Sequence, residues 1–393
     1  MIKNYFDQKI ALFLNFLILA NYLLFSLSAP TLLIQINYIL FLTLIFIFYF
    51  KKPLNNIYLK IFFLLVILIS LGSATSGWDA RSIWLFHAKR IFYDNSIFSI
   101  ADNYASFSHN DYPNLVPAFS AALGKLFGHW NEIFPKISFI LMFFPPMIFI
   151  YPFFKENRYL ILLSIVFFII GRFLFNGWSD GLVAVYFSLS TFLMYFLIIK
   201  EDNESEKKPI YYLTAFTFFI FLTLIKNEGT ALLLILFVVT FLTKIFITRS
   251  QKNIVNFFYL SFSFLPIILW KIFCYEQGIV SDYVNTDSLQ NLLPRAFEIS
   301  NYKLIAYFLL LNEKFFISFI FFLLVFWLKK NNELFIFILT ISISYLIVLF
   351  FIFLSTPVDF YFQLDSAAAR VIKTLSFLLS FFAIYNLKKQ KFS

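Results

Sequence analysis

Apolar runs separated by short polar breaks fill almost the whole chain. They fall near 10–28, 31–50, 58–75, 133–154, 158–175, 180–199, 210–225, 230–247, 254–273, 306–328, 334–354 and 371–387. Most are about 16 to 22 residues long, where roughly 20 apolar residues carry a helix across about 30 Å of hydrocarbon. None shows the period-two alternation of a barrel strand. The pattern predicts an all-α polytopic membrane protein with about twelve transmembrane helices.

Composition agrees with that class. With 61% apolar residues, 61 Phe and 13% charged residues, 393 residues hold too little polar surface to wrap a soluble core. The formal charge of +10 would suit a nucleic-acid partner if it were spread over one face, but it gathers at span ends. Lys3 and Lys9, Lys51 and Lys52, Lys155 and Arg158, Lys200 with Lys207 and Lys208, Lys244 with Arg249 and Lys252, Lys329 and Lys330, and Lys388 with Lys389 and Lys391 all fall on one side of a twelve-span layout. The positive-inside rule makes that side cytoplasmic, with both termini inside and no nucleic acid implied. The start, Met1 to Lys9, is polar and mildly basic, and no small-residue cleavage site follows the first span, so that span is expected to remain as an anchor. Cys274 stands alone, which excludes an internal disulfide and a cysteine-built metal site.

The opposite, extracytoplasmic face receives 76–132, 176–179, 226–229, 275–302 and 355–370. On this reading residues 1–57 supply two additional N-terminal helices, and 58–393 form the main module with 76–132 as its first long outer loop. That loop opens with Trp78-Asp79-Ala80 and contains all three histidines, His87, His109 and His129. Ala80 to Tyr93 places Ile83, Trp84, His87, Ile91 and Phe92 near one face at helical spacing, as in a helix lying along the interface. A second such helix is expected from Pro113, with Leu115, Phe119, Leu123, Leu126 and Phe127 buried. Ser106 to Pro113 joins the two and would overhang Asp79. The 275–302 segment, with Asp282, Asp287, Arg295 and Glu298, lacks a clear helical period until Leu292 and could form a lid.

Lys226 carries a separate physical argument. Ile210 to Ile225 makes only about 24 Å of helix, short of about 30 Å of hydrocarbon, so Lys226 and Glu228 should dip below the surface. A charge at that depth costs about 2.5 to 3.5 kcal/mol unless it is paired or faces a wet cavity. Arg172 and Asp180, flanking Asn176-Gly177-Trp178, fall under the same argument.

Each polar candidate also has a plain structural reading. Asp79 and Asp111 each precede a helix and could be N-caps. His109 could line a binding site or, with Asp111, hold a divalent metal. His87 and His129 read as interfacial side chains. Lys226 and Glu228 could be a snorkelling pair, Arg370 could pair with Asp365, and Trp130, Trp178 and Tyr302 read as belt residues.

Taken together, Asp79 after a membrane span, two helices in the loop that follows, His109-x-Asp111-Tyr112-Pro113, Lys226-Asn227-Glu228-Gly229 and Asp365-x4-Arg370 resemble the GT-C superfamily of integral-membrane glycosyltransferases. The likeness is to protein mannosyltransferases and to the bacterial aminoarabinose and lipopolysaccharide-core sugar transferases. It spans most of the chain in topology, and in motifs only about 75–132, 226–229 and 355–371. The family's adjacent acidic pair is here Asp79-Ala80, two extra spans precede Asp79, and the two-Trp, Asp, Tyr, Gly pattern of oligosaccharyltransferases is absent.

The resemblance implies transfer of one sugar from a polyprenyl-phosphate donor to a glycan, lipid or protein acceptor outside a bacterial inner membrane. A leaving phosphate needs no general acid, so one base suffices, and Asp79 is the position for it. Lys226 and Arg370 would hold the phosphate, with Glu228, Asp365 and Tyr112 in support. Other classes stay open. Twelve spans also suit a transporter or flippase of lipid-linked sugars, although no repeat relates the two halves and nine glycines are few for rocking helices. A polysaccharide polymerase or ligase would place its key arginines in a late loop, and a membrane scaffold would need no site.

Overall fold

The computed structural model describes residues 4–50, 57–75, 77–154, 156–171, 175–200, 208–248, 253–281 and 286–388. Among them every regular element is helical. Eight helices are long and apolar enough to cross a membrane, or nine if the pair Ile299–Leu310 and Glu313–Lys329 counts as one span. Four shorter apolar helices, Ile57–Gly72, Leu115–Phe127, Asn157–Ile169 and Pro209–Ile225, complete the bundle. The protein is an all-helical, polytopic membrane protein.

One helix organises the rest. Every residue from Asp180 to Met194 is buried, as expected of a helix that is apolar all round. Ala369–Lys388, Lys208–Ile225 and Asn227–Thr243 pack against it. Its first turn, at Asp180, therefore meets whatever these neighbours carry at the same end of the bundle. That end also holds the long 77–132 segment.

The turn carrying Lys226 is unusually tight. Lys208–Ile225 and Asn227–Thr243 are separated by Lys226 alone, whose backbone is extended at φ −160° and ψ 150°. Such a return brings the two backbones together at Gly229, where a Cβ would stand 1.8 Å from the Leu222 carbonyl oxygen. Only glycine fits there without moving the turn.

The first N-terminal helix is tied into the core. In Asn4–Ser26, Asn15 Nδ2 donates to Thr217 Oγ1 at 3.2 Å and Gln8 Nε2 to the Tyr211 hydroxyl at 3.0 Å. Polar side chains inside an apolar bundle find partners across helices in this way.

Several boundaries differ from the sequence pattern. The 306–328 run is broken: Ile299–Leu310 and Glu313–Lys329 meet at 73°. Asn312 caps the second piece by accepting from the Phe315 N–H at 3.4 Å, which gives the chain a local reason to restart. Residues 286–296 form a helix well before Leu292, held to the Asn332–Ser355 end by Arg295 Nη1 donating to the Thr356 carbonyl at 2.6 Å. Leu115–Phe127 is enclosed from Leu115 through Gly124 by Asn4–Ser26, Thr31–Phe50 and Phe134–Leu141, so it is a packed element. Phe127, expected to be buried, is exposed in its last turn, just before the left-handed Gly128 stop.

Candidate functional site

The expected inner face of the first loop helix is present. Ile83, Trp84, His87, Ile91 and Phe92 are all buried, while Arg81, Lys89 and Asp94 are exposed. The helix opens with a π-helical turn, Ala80–Trp84, and continues as Leu85–Asp94. Asp79 sits at its mouth with helical dihedrals, φ −55° and ψ −40°, and its side chain makes no capping hydrogen bond. The N-cap reading of Asp79 is thereby corrected.

Asp79 points instead at the last long helix. Its Oδ1 lies 2.9 Å from Arg370 Nη1, with both side chains largely buried. The Arg370 guanidinium also rests over the Trp178 ring, 4.8 Å from its centroid. Trp178, which the sequence suggested as a belt residue, is thus part of the arginine's seat through a cation–π contact. Gly77 makes room for that indole: a Cβ there would fall 1.9 Å from Trp178 Nε1. The alternative pairing of Arg370 with Asp365 gives way to Asp79. Asp365 is exposed on the π-helical turn Leu364–Ala368 that precedes Arg370.

A second ion-paired group stands beside the first. Lys226 Nζ is 3.0 Å from Asp180 Oδ1 and 3.1 Å from Glu228 Oε2, and the lysine is only 2% exposed. Its ammonium does not reach outward, so the snorkelling reading fails for Lys226. Glu228, at 27% side-chain exposure, is the accessible member. Asp180 was a minor candidate from sequence, and here it is the buried counter-charge. Arg172, its companion in that argument, lies outside the described residues, as does Asp282.

Asp111 forms a third group. Asn227 Nδ2 donates to its Oδ2 at 2.7 Å and Lys271 Nζ to the same oxygen at 3.0 Å. Its backbone carbonyl accepts from Trp270 Nε1 at 3.0 Å and Lys271 Nζ at 2.9 Å. This ties the loop to Leu265–Glu276 and to the Lys226 turn at once. Lys271 was overlooked in the sequence, although a lysine inside an apolar run is itself a signal of function or pairing.

His109 and Asp111 engage different partners. The His109 ring is stacked on Tyr112 at 5.0 Å and meets Trp78 edge-on at 6.0 Å. Among the described residues no three His, Cys, Asp or Glu side chains gather as a metal cage. His87 is buried, with Nε2 3.2 Å from Asn110 Oδ1. Burial pushes its imidazole down to about 4, against 6.5 in water. His129 is an exposed side chain near Phe127, and Trp130 packs on Phe92.

A cavity of about 250 Å³ opens between these groups. Lys226, Asn227, Glu228, Arg370 and Tyr112 supply its polar wall, and Ala231, Leu349, Ile352, Phe353 and Val371 its apolar wall. Arg370, the more open cation, stands beside the apolar slot and can receive the anionic head of an amphiphile, with the Glu228 carboxylate in the same wall. Comparisons of the chain with protein-family models, curated proteins and solved structures return no match.

Proposed function

We propose that the protein is a GT-C-like membrane glycosyltransferase that moves a single sugar from a polyprenyl-phosphate donor to an extracytoplasmic acceptor. The observation that carries this reading is the convergence of Arg370, Lys226 and Glu228, from distant parts of the chain, on one cavity with an apolar wall, with Asp79 paired to Arg370 beside it. In this reading three of the shorter apolar helices, Ile57–Gly72, Asn157–Ile169 and Pro209–Ile225, also cross the bilayer. Added to the nine longer spans they make about twelve. Both termini are then cytoplasmic, the cavity faces outward, and the membrane is a bacterial inner membrane.

The chemistry follows from the charges. Asp79 accepts the proton of an acceptor hydroxyl as that oxygen bonds to the anomeric carbon. The anomeric carbon's bond to the phosphate oxygen breaks on the opposite side, which inverts the centre. The electron pair leaves on the phosphate, whose charge Arg370 and Lys226 face. Alignment of the two substrates and stabilisation of the departing anion supply most of the acceleration.

The test uses membranes with and without the full chain, supplied with radiolabelled polyprenyl-phosphate sugars. Transfer of label to an envelope acceptor that depends on the protein, and is lost in Asp79→Asn, is the expected result. Protein-dependent movement of intact donor across the membrane with no new glycosidic product would replace this reading with transport.

A further inference from the structure

The two cations at the cavity differ in one respect. Lys226 is held at the back by two carboxylates, Asp180 and Glu228, and is almost fully buried. Arg370 is more open, lines the cavity, and among the described residues has one carboxylate within salt-bridge distance, Asp79. Its guanidinium also has a second support that carries no charge, the Trp178 ring. Arg370 can therefore change anionic partner without leaving its place.

Asp79, by contrast, is not part of the cavity wall while it is paired. A carboxylate engaged by a guanidinium is poorly placed to accept a proton from a substrate hydroxyl. A phosphate is a planar-fork match for arginine and carries at least as much charge as a carboxylate. We infer that the Asp79–Arg370 pair is a latch that the donor's phosphate opens. The phosphate takes over Arg370, Trp178 keeps the guanidinium seated, and Asp79 is released toward the acceptor only when the cavity is filled. This rests on the glycosyltransferase reading and adds an order to it, donor before acceptor. Trp178 is a positioning residue in this scheme.

The latch makes a prediction opposite to that of an ordinary binding residue. Removing the charge at Asp79 removes a competitor for Arg370, so Asp79→Asn should bind phosphate more tightly while losing transfer. The probe is undecaprenyl phosphate, without sugar, titrated into the purified full chain in nanodiscs. Asp79→Asn is expected to bind about tenfold more tightly than the wild type, the scale of a single charge-assisted contact. The gain should vanish in the double variant Asp79→Asn with Arg370→Ala, which should match Arg370→Ala alone. Trp178→Leu should weaken binding in both backgrounds, and Trp178→Phe, which keeps a ring, should restore most of it. If Asp79→Asn is not monodisperse, Asp79→Ser carries the same test.

Equal or weaker binding by the Asp79 variants would overturn the latch while leaving sugar transfer standing. No binding of undecaprenyl phosphate by any form would remove both. Inorganic phosphate serves as the second arm. Millimolar concentrations that leave lipid binding unchanged are expected of a site that needs the isoprenoid chain. Displacement of the lipid at those concentrations would assign the site to a free phosphate and overturn the lipid-gated form.

Discussion

Arg370 reaches across nearly the whole chain to Asp79, with Nη1 2.9 Å from Oδ1. Each residue lies close to a π-helical turn, Ala80–Trp84 after Asp79 and Leu364–Ala368 before Arg370. Such turns are frequent at functional sites, and the extra residue re-aims the side chains that follow. The pair joins the first long loop to the last long helix, beside the cavity that Arg370 lines.

Loss of the Asp79 base should lower turnover by about 10² to 10⁴, the range of general base catalysis. Asp79→Asn keeps the side chain's size but takes the counter-charge from Arg370, so some thermal stability should be lost, and rates are compared at equal amounts of folded protein. Initial transfer rates from a saturating polyprenyl-phosphate sugar give the measurement. An undiminished rate would remove Asp79 from the chemistry.

Lys226→Met should be among the most damaging single changes. It strands Asp180, which is 6% exposed, and leaves Glu228 without its cation. Breaking one partner from a buried pair costs about 3–5 kcal/mol. Combining Lys226→Met with Asp180→Leu should recover much of the loss, because the unpaired buried charge is then gone. Thermal unfolding of the detergent-solubilised protein reads both, and equal damage in single and double variants would contradict the pairing.

Gly229→Ala tests the tight return at Lys226. The new methyl would sit 1.8 Å from the Leu222 carbonyl, so Pro209–Ile225 and Asn227–Ile247 must separate. Overpacking of this kind costs about 1–3 kcal/mol. Gly128→Ala makes a useful contrast: no atom lies within 4 Å of its Cβ position, and only the left-handed φ of 73° opposes the change. A smaller loss of thermal stability is expected there, of about 1 kcal/mol.

Acid should loosen the first loop through His87. Its folded pKa is depressed to about 4 from 6.5, chiefly by burial, so the folded loop holds the neutral ring and the unfolded loop takes up a proton first. The contribution is therefore complete above pH 6.5 and is lost as pH falls toward 4, on the order of 3 kcal/mol in all. Thermal unfolding at pH 7, 5.5 and 4 should show a steeper acid loss in wild type than in His87→Gln. Parallel curves would remove the histidine from the effect.

The Asp111 anchor should govern access to the same loop. Asn103, Ala105 and His109 all have positive φ, between 50° and 53°, and such positions persist only where surrounding contacts hold them. Lys271→Met removes the bonds to the Asp111 carboxylate and carbonyl. Limited proteolysis between Asn103 and His109 should then proceed several-fold faster, consistent with a loss of about 1 kcal/mol. An unchanged cleavage rate would mean that Asn227 and Trp270 hold the loop without the lysine.

The hydrophobic pattern alone settled the class of the molecule. Apolar length fixes where a helix can cross hydrocarbon, and a chain with so little charge has no other way to satisfy its backbone. The same reasoning located Lys226, because a short apolar run forces its flanking charge inward. It found the buried face of Ala80–Tyr93, because helical spacing is local. What it could not give was the partner of each charge. Burial requires Lys226 and Asp79 to be neutralised, yet it does not say by whom, since that depends on helix rotation and packing. Each π-helical turn also shifts the register by one residue, about 100° of rotation, so closeness in sequence to Asp365 does not tell which way Arg370 faces. Only the packed bundle decides that Arg370 meets Asp79 over Trp178, and that Lys271, whose place in an apolar run signals a partner without naming it, holds Asp111.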